Sequence, residues 1–144
     1  MAERFPIHDL TLRPLAATED SGVVRWLALR EADQLLRRFG EAEIIRLSPG
    51  HSTALTLRPV VDEAWALLEG AVEAFWHDLR PRSPTSGARY RATLREPVVL
   101  LAPFGVAFGV RALEGPVLLA RFATHMRDDP ESREDVILEW EPGP

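Results

Sequence analysis

The chain has 144 residues, 46% of them hydrophobic, and a formal net charge of −5 at pH 7. This length and apolar content are typical of one domain with a hydrophobic core and exclude wholesale disorder, so we expect residues 1–144 to form a single domain. The negative charge gives no electrostatic reason to expect a nucleic acid partner. Because the chain contains no cysteine, disulfides and thiolate metal sites are excluded.

The cationic residues are all arginine, since the sequence has 17 of them and no lysine. This excludes a Schiff-base lysine and a lysine general base. The bias fits either a GC-rich coding sequence or guanidinium groups that serve a phosphate ligand. No apolar run approaches the ~20 residues that cross a bilayer, and the first residues lack the apolar core of a signal peptide. We therefore expect a cytoplasmic protein without a membrane partner.

The first elements in chain order are an apolar strand over 23–29 and a short helix over 30–39. The helix is predicted from apolar residues at helical spacing among good helix formers, and from Gly40, which suits a C-terminal cap. We expect this helix to pack over a sheet edge. The strand presents apolar side chains that need a partner.

The rest of the chain follows the period of two that is typical of strands. Segments 52–58 and 88–95 alternate, and the second puts small or apolar residues on one face and mostly arginines on the other. Segments 98–102 and 117–122 are continuous apolar runs, as expected for strands buried on both faces. Glycine and proline turns separate these segments. Many short strands between turns predict an all-β sandwich or barrel.

Three stretches carry a more specific pattern. They are the run from Gly70 to Asp78-Leu-Arg80 with the turn Ser83-Pro-Thr-Ser-Gly87, the segment Gly105-Val-Ala-Phe-Gly109, and the end of the chain over 130–142. Together they resemble the dTDP-4-dehydrorhamnose 3,5-epimerase family, a branch of the cupins, over residues 43–142. The resemblance implies an RmlC-like double-stranded β-helix, the cupin jelly roll. It also implies epimerase or isomerase chemistry on a nucleotide sugar.

The residues that perform this chemistry in the family do not carry over. The positions that match its histidine base and tyrosine acid hold Arg58 and Ala120, and the position of a family lysine holds Glu63. A guanidinium cannot act as a base at neutral pH. The family's base-orienting aspartate lies in a segment past the last residue of this sequence, Pro144. A shifted register would offer His51 as the base, although His51 lies in a predicted turn. We therefore expect no ordinary 3,5-epimerase activity.

Other residues remain candidates for function. For catalysis they are Arg58, Glu63 and His77, and for ligand binding Arg58, Trp65, Glu73 and Phe108. His77 is either a surface or core histidine or a proton carrier, and the aromatic residues either fill the core or stack on a sugar. Arg58 lies at a position predicted to face inward, so it needs an anionic partner. Glu63, Glu73 or a ligand phosphate could supply that partner.

Two functions from different classes stay open. The first is an enzyme acting on a nucleotide sugar or related carbohydrate with other groups, and the second is a catalytically silent binding or regulatory module. The four histidines lack the His-x-His spacing of metal cupins, so we expect neither a metal nor a cofactor. Relatives of this fold pair through sheet faces or exchanged edge strands, so we expect a homodimer.

Overall fold

The computed structural model describes residues 5–140, which form an almost entirely β structure. No helix within that range is long and apolar enough to cross a membrane. The strands are β1 Leu12–Pro14, β2 Ala17–Asp20, β3 Val23–Trp26, β4 Glu41–Leu47, β5 Leu55–Leu57, β6 Glu63–Glu69, β7 Val72–Asp78, β8 Arg89–Leu94, β9 Val98–Ala102, β10 Val106–Ala112, β11 Val117–Ala123 and β12 Val136–Leu138.

Two five-stranded antiparallel sheets pack face to face. The first has the order β1-β9-β6-β11-β4 and the second the order β12-β5-β10-β7-β8. Alternation along each strand sends every second side chain between the sheets. The main core there contains Trp65 and Leu67 from the first sheet and Trp76, Phe108 and Val110 from the second. The predicted cupin jelly roll is confirmed.

The strand predictions hold best in the middle and later parts of the chain. The alternating segment 88–95 forms β8, and its apolar row, Ala88, Tyr90, Ala92 and Leu94, packs against the main core. The two apolar runs form β9 and β11. In contrast, the segment 52–58 pairs as a strand only over Leu55–Leu57, preceded by one isolated bridge between Ser52 and Arg111.

The helix predicted over 30–39 is wrong. Only a 3₁₀ turn, Glu31–Asp33, forms there, and Gln34 ends it in the left-handed region at φ 53°. Leu35 and Leu36 instead pack on the outer face of the first sheet, where the covered strand residues are small or β-branched: Ala64, Ala66, Val99 and Ala120. Burial of these leucines on the sheet outweighs the weak intrinsic preference of the segment for a helix.

The strand predicted over 23–29 is shorter than expected and belongs to a hairpin. β3 pairs with β2 in a two-stranded ribbon, and every residue of both strands is exposed. Three of the exposed side chains are large and apolar, namely Val23, Val24 and Trp26. This ribbon leaves apolar surface uncovered, and the homodimer stays a prediction.

Candidate functional site

One end of the space between the sheets is charged. Along β4, Glu41 and Glu43 precede Ile45 and Leu47, which belong to the main core with their side chains on the same face. The antiparallel ladders set the start of β4 and the start of β6 beside the end of β11. They therefore bring two glutamates of β4, Glu63 of β6 and Arg121 of β11 together.

Arg121 is the centre of this cluster. Its side chain is fully buried at 0% exposure, its Nε donates to Glu63, and its Nη1 donates to Glu41 at 2.8 Å and to Glu43 at 2.6 Å. Burial alone would lower the pKa of Arg121, but the three carboxylates outweigh burial and raise it. The Arg121 charge is thus well compensated. Arg127, nearer the surface, donates to Glu43 as well.

Arg58 lies beside this cluster with fewer partners. Its Nη1 is 3.2 Å from Glu63 Oε2 and its Nε is 3.8 Å from Asp135 Oδ2, so the predicted pairing of Arg58 with Glu63 is confirmed. Burial lowers the pKa of Arg58 more than the Glu63 carboxylate raises it, and the nearby Arg121 charge lowers it further. Since an arginine keeps its proton in proteins, this direction means that the Arg58 charge is incompletely compensated.

Asp135 behaves unlike the other carboxylates. It follows the 3₁₀ turn Pro130–Glu134 and stands at the edge of the charged cluster, near Arg58. Burial raises the pKa of Asp135, and the charge of Glu63 raises it further, against the attraction of Arg58. Within the described part of the chain, its buried Oδ1 has no hydrogen-bond partner. This acid favours its protonated form more than an exposed aspartate does.

A cavity of about 120 Å³ lies in front of Arg58 and Glu63. Trp65 and Phe108 form an aromatic wall, with ring centroids 5.4 Å apart. The remaining lining residues are Ile45, Thr53, Ala54, Thr56 and Arg127. A guanidinium, a carboxylate, hydroxyls and aromatic rings thus surround one small space, which we call the interior pocket.

A larger and more apolar groove of about 650 Å³ lies on the other side of the same stretch of chain. Thr56 and Arg58 line the interior pocket, whereas Leu57 and Pro59 line the groove, as the alternation of a strand requires. Phe104, which is 45% exposed, also lines the groove. The buried ion pairs lie beside the interior pocket, so we take that pocket as the candidate site.

Comparison with known proteins agrees with this architecture. No protein-family model matches the chain. The spore coat polysaccharide biosynthesis protein SpsL of Bacillus subtilis (strain 168) is 31% identical over 116 residues, which are 78% of this chain and 76% of SpsL. The chain is a divergent member of the RmlC-like cupin family.

Solved structures share the fold of this RmlC-like cupin. The dTDP sugar isomerase from Desulfovibrio desulfuricans G20 matches with a TM-score of 0.84 at 23% identity, over 96% of this chain and 88% of that one. The dTDP-6-deoxy-D-glucose-3,5-epimerase RmlC from Legionella pneumophila Philadelphia 1, in complex with dTDP-4-keto-L-rhamnose, matches with a TM-score of 0.79 at 20% identity. That match covers 93% of this chain and 74% of the Legionella chain.

The candidate residues named from the sequence divide between the two faces of this RmlC-like cupin. Arg58, Glu63, Trp65 and Phe108 meet at the interior pocket. Their roles in binding or catalysis remain predictions.

Glu73 and His77 do not reach the interior pocket. Trp76 takes the inward position on β7, so its neighbours along the strand share the outer face with Phe75. Glu73 pairs there with Arg91 at 3.2 Å. Glu73 and His77 thus lie outside the interior pocket, and their roles in ligand binding and catalysis stay predictions.

Several other side chains that the sequence brings into question also lie away from the interior pocket. His51 is exposed in its turn. Ala120, matched to the family's tyrosine, packs in the outer cluster with Ala64 and Ala66, so the inward positions of β11 are Leu119 and Arg121. Phe104 is exposed and Phe122 packs in the outer cluster, so neither contributes to the aromatic wall of the interior pocket.

Five charged residues at or beside the site were not predicted from the sequence: Glu41, Glu43, Arg121, Arg127 and Asp135. Arg121 lies within a run of apolar residues that gives no sign of a charged site. Glu41 and Glu43 follow the segment 30–39, for which the sequence predicts a helix. The alternation of Glu41 and Glu43 with small residues, continued by Ile45 and Leu47, was a usable signal for an inward acidic pair. No sequence pattern marks Asp135, because its position beside Arg58 depends on the path of the chain after β11, over the end of the barrel. Among residues 5–140, no group of three metal-ligating side chains is positioned to hold a metal ion.

Proposed function

We propose that this RmlC-like cupin binds a nucleotide sugar or a related carbohydrate, with the sugar ring in the interior pocket. The observation that carries the proposal is the lining of that pocket: aromatic rings of Trp65 and Phe108 beside buried polar groups of Arg58 and Glu63. Aromatic faces stack on the apolar faces of sugar rings, and the polar groups suit sugar hydroxyls. The polysaccharide biosynthesis relative supports a carbohydrate ligand.

The ordinary 3,5-epimerase route does not suit the residues that the sequence resemblance matches to the family's base and acid, Arg58 and Ala120. On β11 the side chains that point inward are those of Leu119 and Arg121. The chain has a single tyrosine, Tyr90, whose ring packs in the core 5.5 Å from Trp76. We therefore propose a member of the epimerase and isomerase type that works by other groups.

We propose Asp135 as the proton carrier of such an enzyme: it is outside the lining of the interior pocket, but its Oδ2 lies 3.8 Å from Nε of Arg58, which lines it. The raised pKa of Asp135 brings it nearer to the working range of a general acid or base, and its Oδ1 is unpaired within the described residues. The alternative is a catalytically silent module, in which the same pocket binds a sugar without turnover. The alternative is favoured by Glu63, because that carboxylate is held between two guanidinium groups.

Binding is tested by isothermal titration calorimetry with dTDP-glucose. Replacing Trp65 with Leu removes an aromatic contact worth about 0.5–1.5 kcal/mol, which corresponds to a roughly 2–10-fold weaker affinity. The matched control is Phe104→Leu in the outer groove, which we expect to leave affinity unchanged. No binding of any nucleotide sugar by the wild-type protein, or equal losses in both variants, would contradict the proposal.

Catalysis is tested in deuterated water with dTDP-4-dehydro-6-deoxyglucose. We expect no enzyme-dependent incorporation of deuterium at both C3 and C5, because the family's base and acid are not matched here. Incorporation at both carbons at a rate proportional to protein would show that the ordinary reaction survives. Incorporation at one carbon that is lost in Asp135→Asn would favour the enzyme over the silent module.

A further inference from the structure

The interior pocket presents more positive than negative charge. Of the side chains that line it, Arg58 and Arg127 are cationic and Glu63 is anionic. Glu63 is already engaged, since it lies 3.2 Å from Arg58 and accepts a hydrogen bond from Arg121. The other nearby glutamates, Glu41 and Glu43, bind Arg121 and Arg127 and do not line the pocket. Arg127 is itself paired with Glu43 at 2.8 Å. Arg58 shares its closest carboxylate with Arg121, so Arg58 is the cation that an anionic occupant would compensate.

Two buried donors in the lining are without a hydrogen bond, although Asp135 Oδ2 lies 3.8 Å from one of them, Arg58 Nε. Arg58 Nε and Trp65 Nε1 make no hydrogen bond to any residue from 5 to 140, although the Arg58 side chain is only 10% exposed and Trp65 only 5%. Buried donors are nearly always paired in native proteins, so these two indicate an acceptor on a ligand. The incompletely compensated charge of Arg58 further indicates that this acceptor is anionic.

The size of the pocket assigns the anion to the sugar. A volume of about 120 Å³ equals roughly four water molecules at about 30 Å³ each. Such a space encloses part of a pyranose ring and leaves a nucleoside diphosphate outside it. The wall of Trp65 and Phe108 suits the ring itself. The anionic group that reaches Arg58 then belongs to the ring rather than to the phosphates.

We infer that the sugar bound here is acidic: a hexuronate whose carboxylate accepts hydrogen bonds from Arg58 and whose ring oxygen or hydroxyl accepts one from Trp65. This inference rests on the proposed function, because it names the sugar that occupies the same pocket. A guanidinium fork suits a planar carboxylate better than a hydroxyl. A neutral hexose would leave the Arg58 charge as poorly compensated as before.

The test compares dTDP-glucose with dTDP-glucuronate, and dTDP-galactose with dTDP-galacturonate, by calorimetry. The members of each pair differ only in the oxidation of C6. We expect the uronate of at least one pair to bind roughly 10-fold or more tightly than its neutral partner, as a charged hydrogen bond allows. Free dTDP and inorganic phosphate are titrated separately, so that phosphate binding at Arg58 is recognised.

Variants then assign the preference to the pocket. Arg58→Gln should abolish the preference for the uronate, and Trp65→Phe, which keeps a ring but removes the N–H, should weaken both sugars. Arg111→Gln is the matched control, because Arg111 stacks on Trp140 on the outer face of the second sheet. If Arg58→Gln does not fold, Arg58→Lys, which keeps the charge and loses the fork, should reduce the preference without removing it.

The outcomes separate this inference from the proposed function. Equal affinity for both members of each pair, or a preference that persists in Arg58→Gln, overturns the acidic sugar and leaves nucleotide-sugar binding intact. Weaker binding of free dTDP in Arg58→Gln, with no uronate preference, assigns Arg58 to phosphate and also overturns it. If neither dTDP nor any of the four nucleotide sugars binds, the proposed function itself is wrong and the inference falls with it.

Discussion

Glu63 holds two buried arginines at once, which makes it the residue on which the charged end of the barrel depends. It accepts from Arg121 and lies 3.2 Å from Arg58. Arg121 keeps two other glutamates when Glu63 is changed, whereas among residues 5–140 Arg58 keeps only the more distant Asp135 as an acidic partner. Removing the Glu63 charge should therefore leave mainly the Arg58 charge uncompensated.

Glu63→Gln should lower the free energy of unfolding by about 3–5 kcal/mol, the usual cost of removing one partner of a buried ion pair. Urea denaturation measures the change. The matched control is Glu114→Gln, since Glu114 pairs with Arg95 on the surface and exposed pairs contribute about 0–1 kcal/mol. Similar losses in the two variants would mean that Glu63 is not a key partner.

Asp78 should make the fold sensitive to acid. Burial alone would raise the pKa of Asp78, but hydrogen bonds from Arg80, Ser83 and Thr85 outweigh it and hold that pKa well below its ordinary value. The unfolded chain therefore binds a proton at a higher pH than the folded one. The stabilisation is complete above the unfolded pKa of about 3.9 and is lost as the pH falls below it.

Asp78→Asn should reduce stability at pH 7 and flatten the decline of stability below about pH 4. Urea midpoints measured from pH 7 down to pH 3 give both effects. Some acid dependence should remain, because the pKa values of Glu41 and Glu43 are lowered too. At Glu41 the side chain of Arg121 and the backbone N–H of Arg127 outweigh burial, and at Glu43 the side chains of both arginines do so. An unchanged slope in the variant would contradict this role of Asp78.

Part of the site could be predicted residue by residue. Alternation along 52–58 and the resemblance to the family predicted that Arg58 faces inward. A buried guanidinium requires an anionic partner, which named Glu63 beside two alternatives, Glu73 and a ligand phosphate. Arg121 could not be found in this way, because its partners depend on the register between β4 and β11. That register, which sets Arg121 opposite Glu43, is fixed by tertiary packing and is not written in either strand alone.

At the scale of elements, the turn between β6 and β7 shows how closely the sheets' connections are packed. Gly70 has φ +93°, and a Cβ built there would lie 2.5 Å from the Pro116 carbonyl oxygen and 2.8 Å from Val117 Cγ2. Gly115, in the turn before β11, has φ +65° but nothing within 4 Å of a Cβ. Both glycines have a left-handed backbone conformation, but only Gly70 lacks room for a Cβ atom.

Gly70→Ala should therefore destabilise the fold more than Gly115→Ala. Both variants force alanine into the left-handed region, at a cost of about 1–2 kcal/mol, and only Gly70→Ala also displaces backbone. Chemical denaturation of the two proteins side by side measures the difference. Equal losses would indicate that the 116–117 segment moves aside without cost.

Strands whose pattern lies within their own few residues were predicted well. Segments whose conformation depends on the surface against which they pack were not. β8 and β9 follow from alternation and from a continuous apolar run within a few residues. The 30–39 segment has helical spacing, but its leucines cover the outer face of the first sheet in a non-helical conformation. The non-helical conformation of this segment depends on the small side chains of the sheet face that it covers. Those side chains belong to strands that come much later in the sequence, so the segment alone does not predict it.

For the whole molecule, the exposed ribbon of β2 and β3 favours association with a second copy. Its apolar side chains include Val24 at 41% and Trp26 at 40% exposure, and such uncovered edges usually pair. We expect a homodimer by light scattering at micromolar concentration, and a monomer for Trp26→Asp. Ile137→Asp, on an exposed residue of β12, is the control that should stay dimeric. A monomeric wild-type protein would refute the prediction.

The partners in the charged cluster lie far apart in the sequence, and this has a consequence for how the protein is made. Glu41 and Arg121 are 80 residues apart, so during synthesis β4 leaves the ribosome long before its neighbouring strand exists. Folds built from such distant pairings form slowly. The interior pocket lies beside this cluster, which is complete only when β11 brings Arg121 to Glu41 and Glu63. A ligand that binds there recognises only the closed barrel, so a cell rich in that ligand would also hold more of the protein in its folded state.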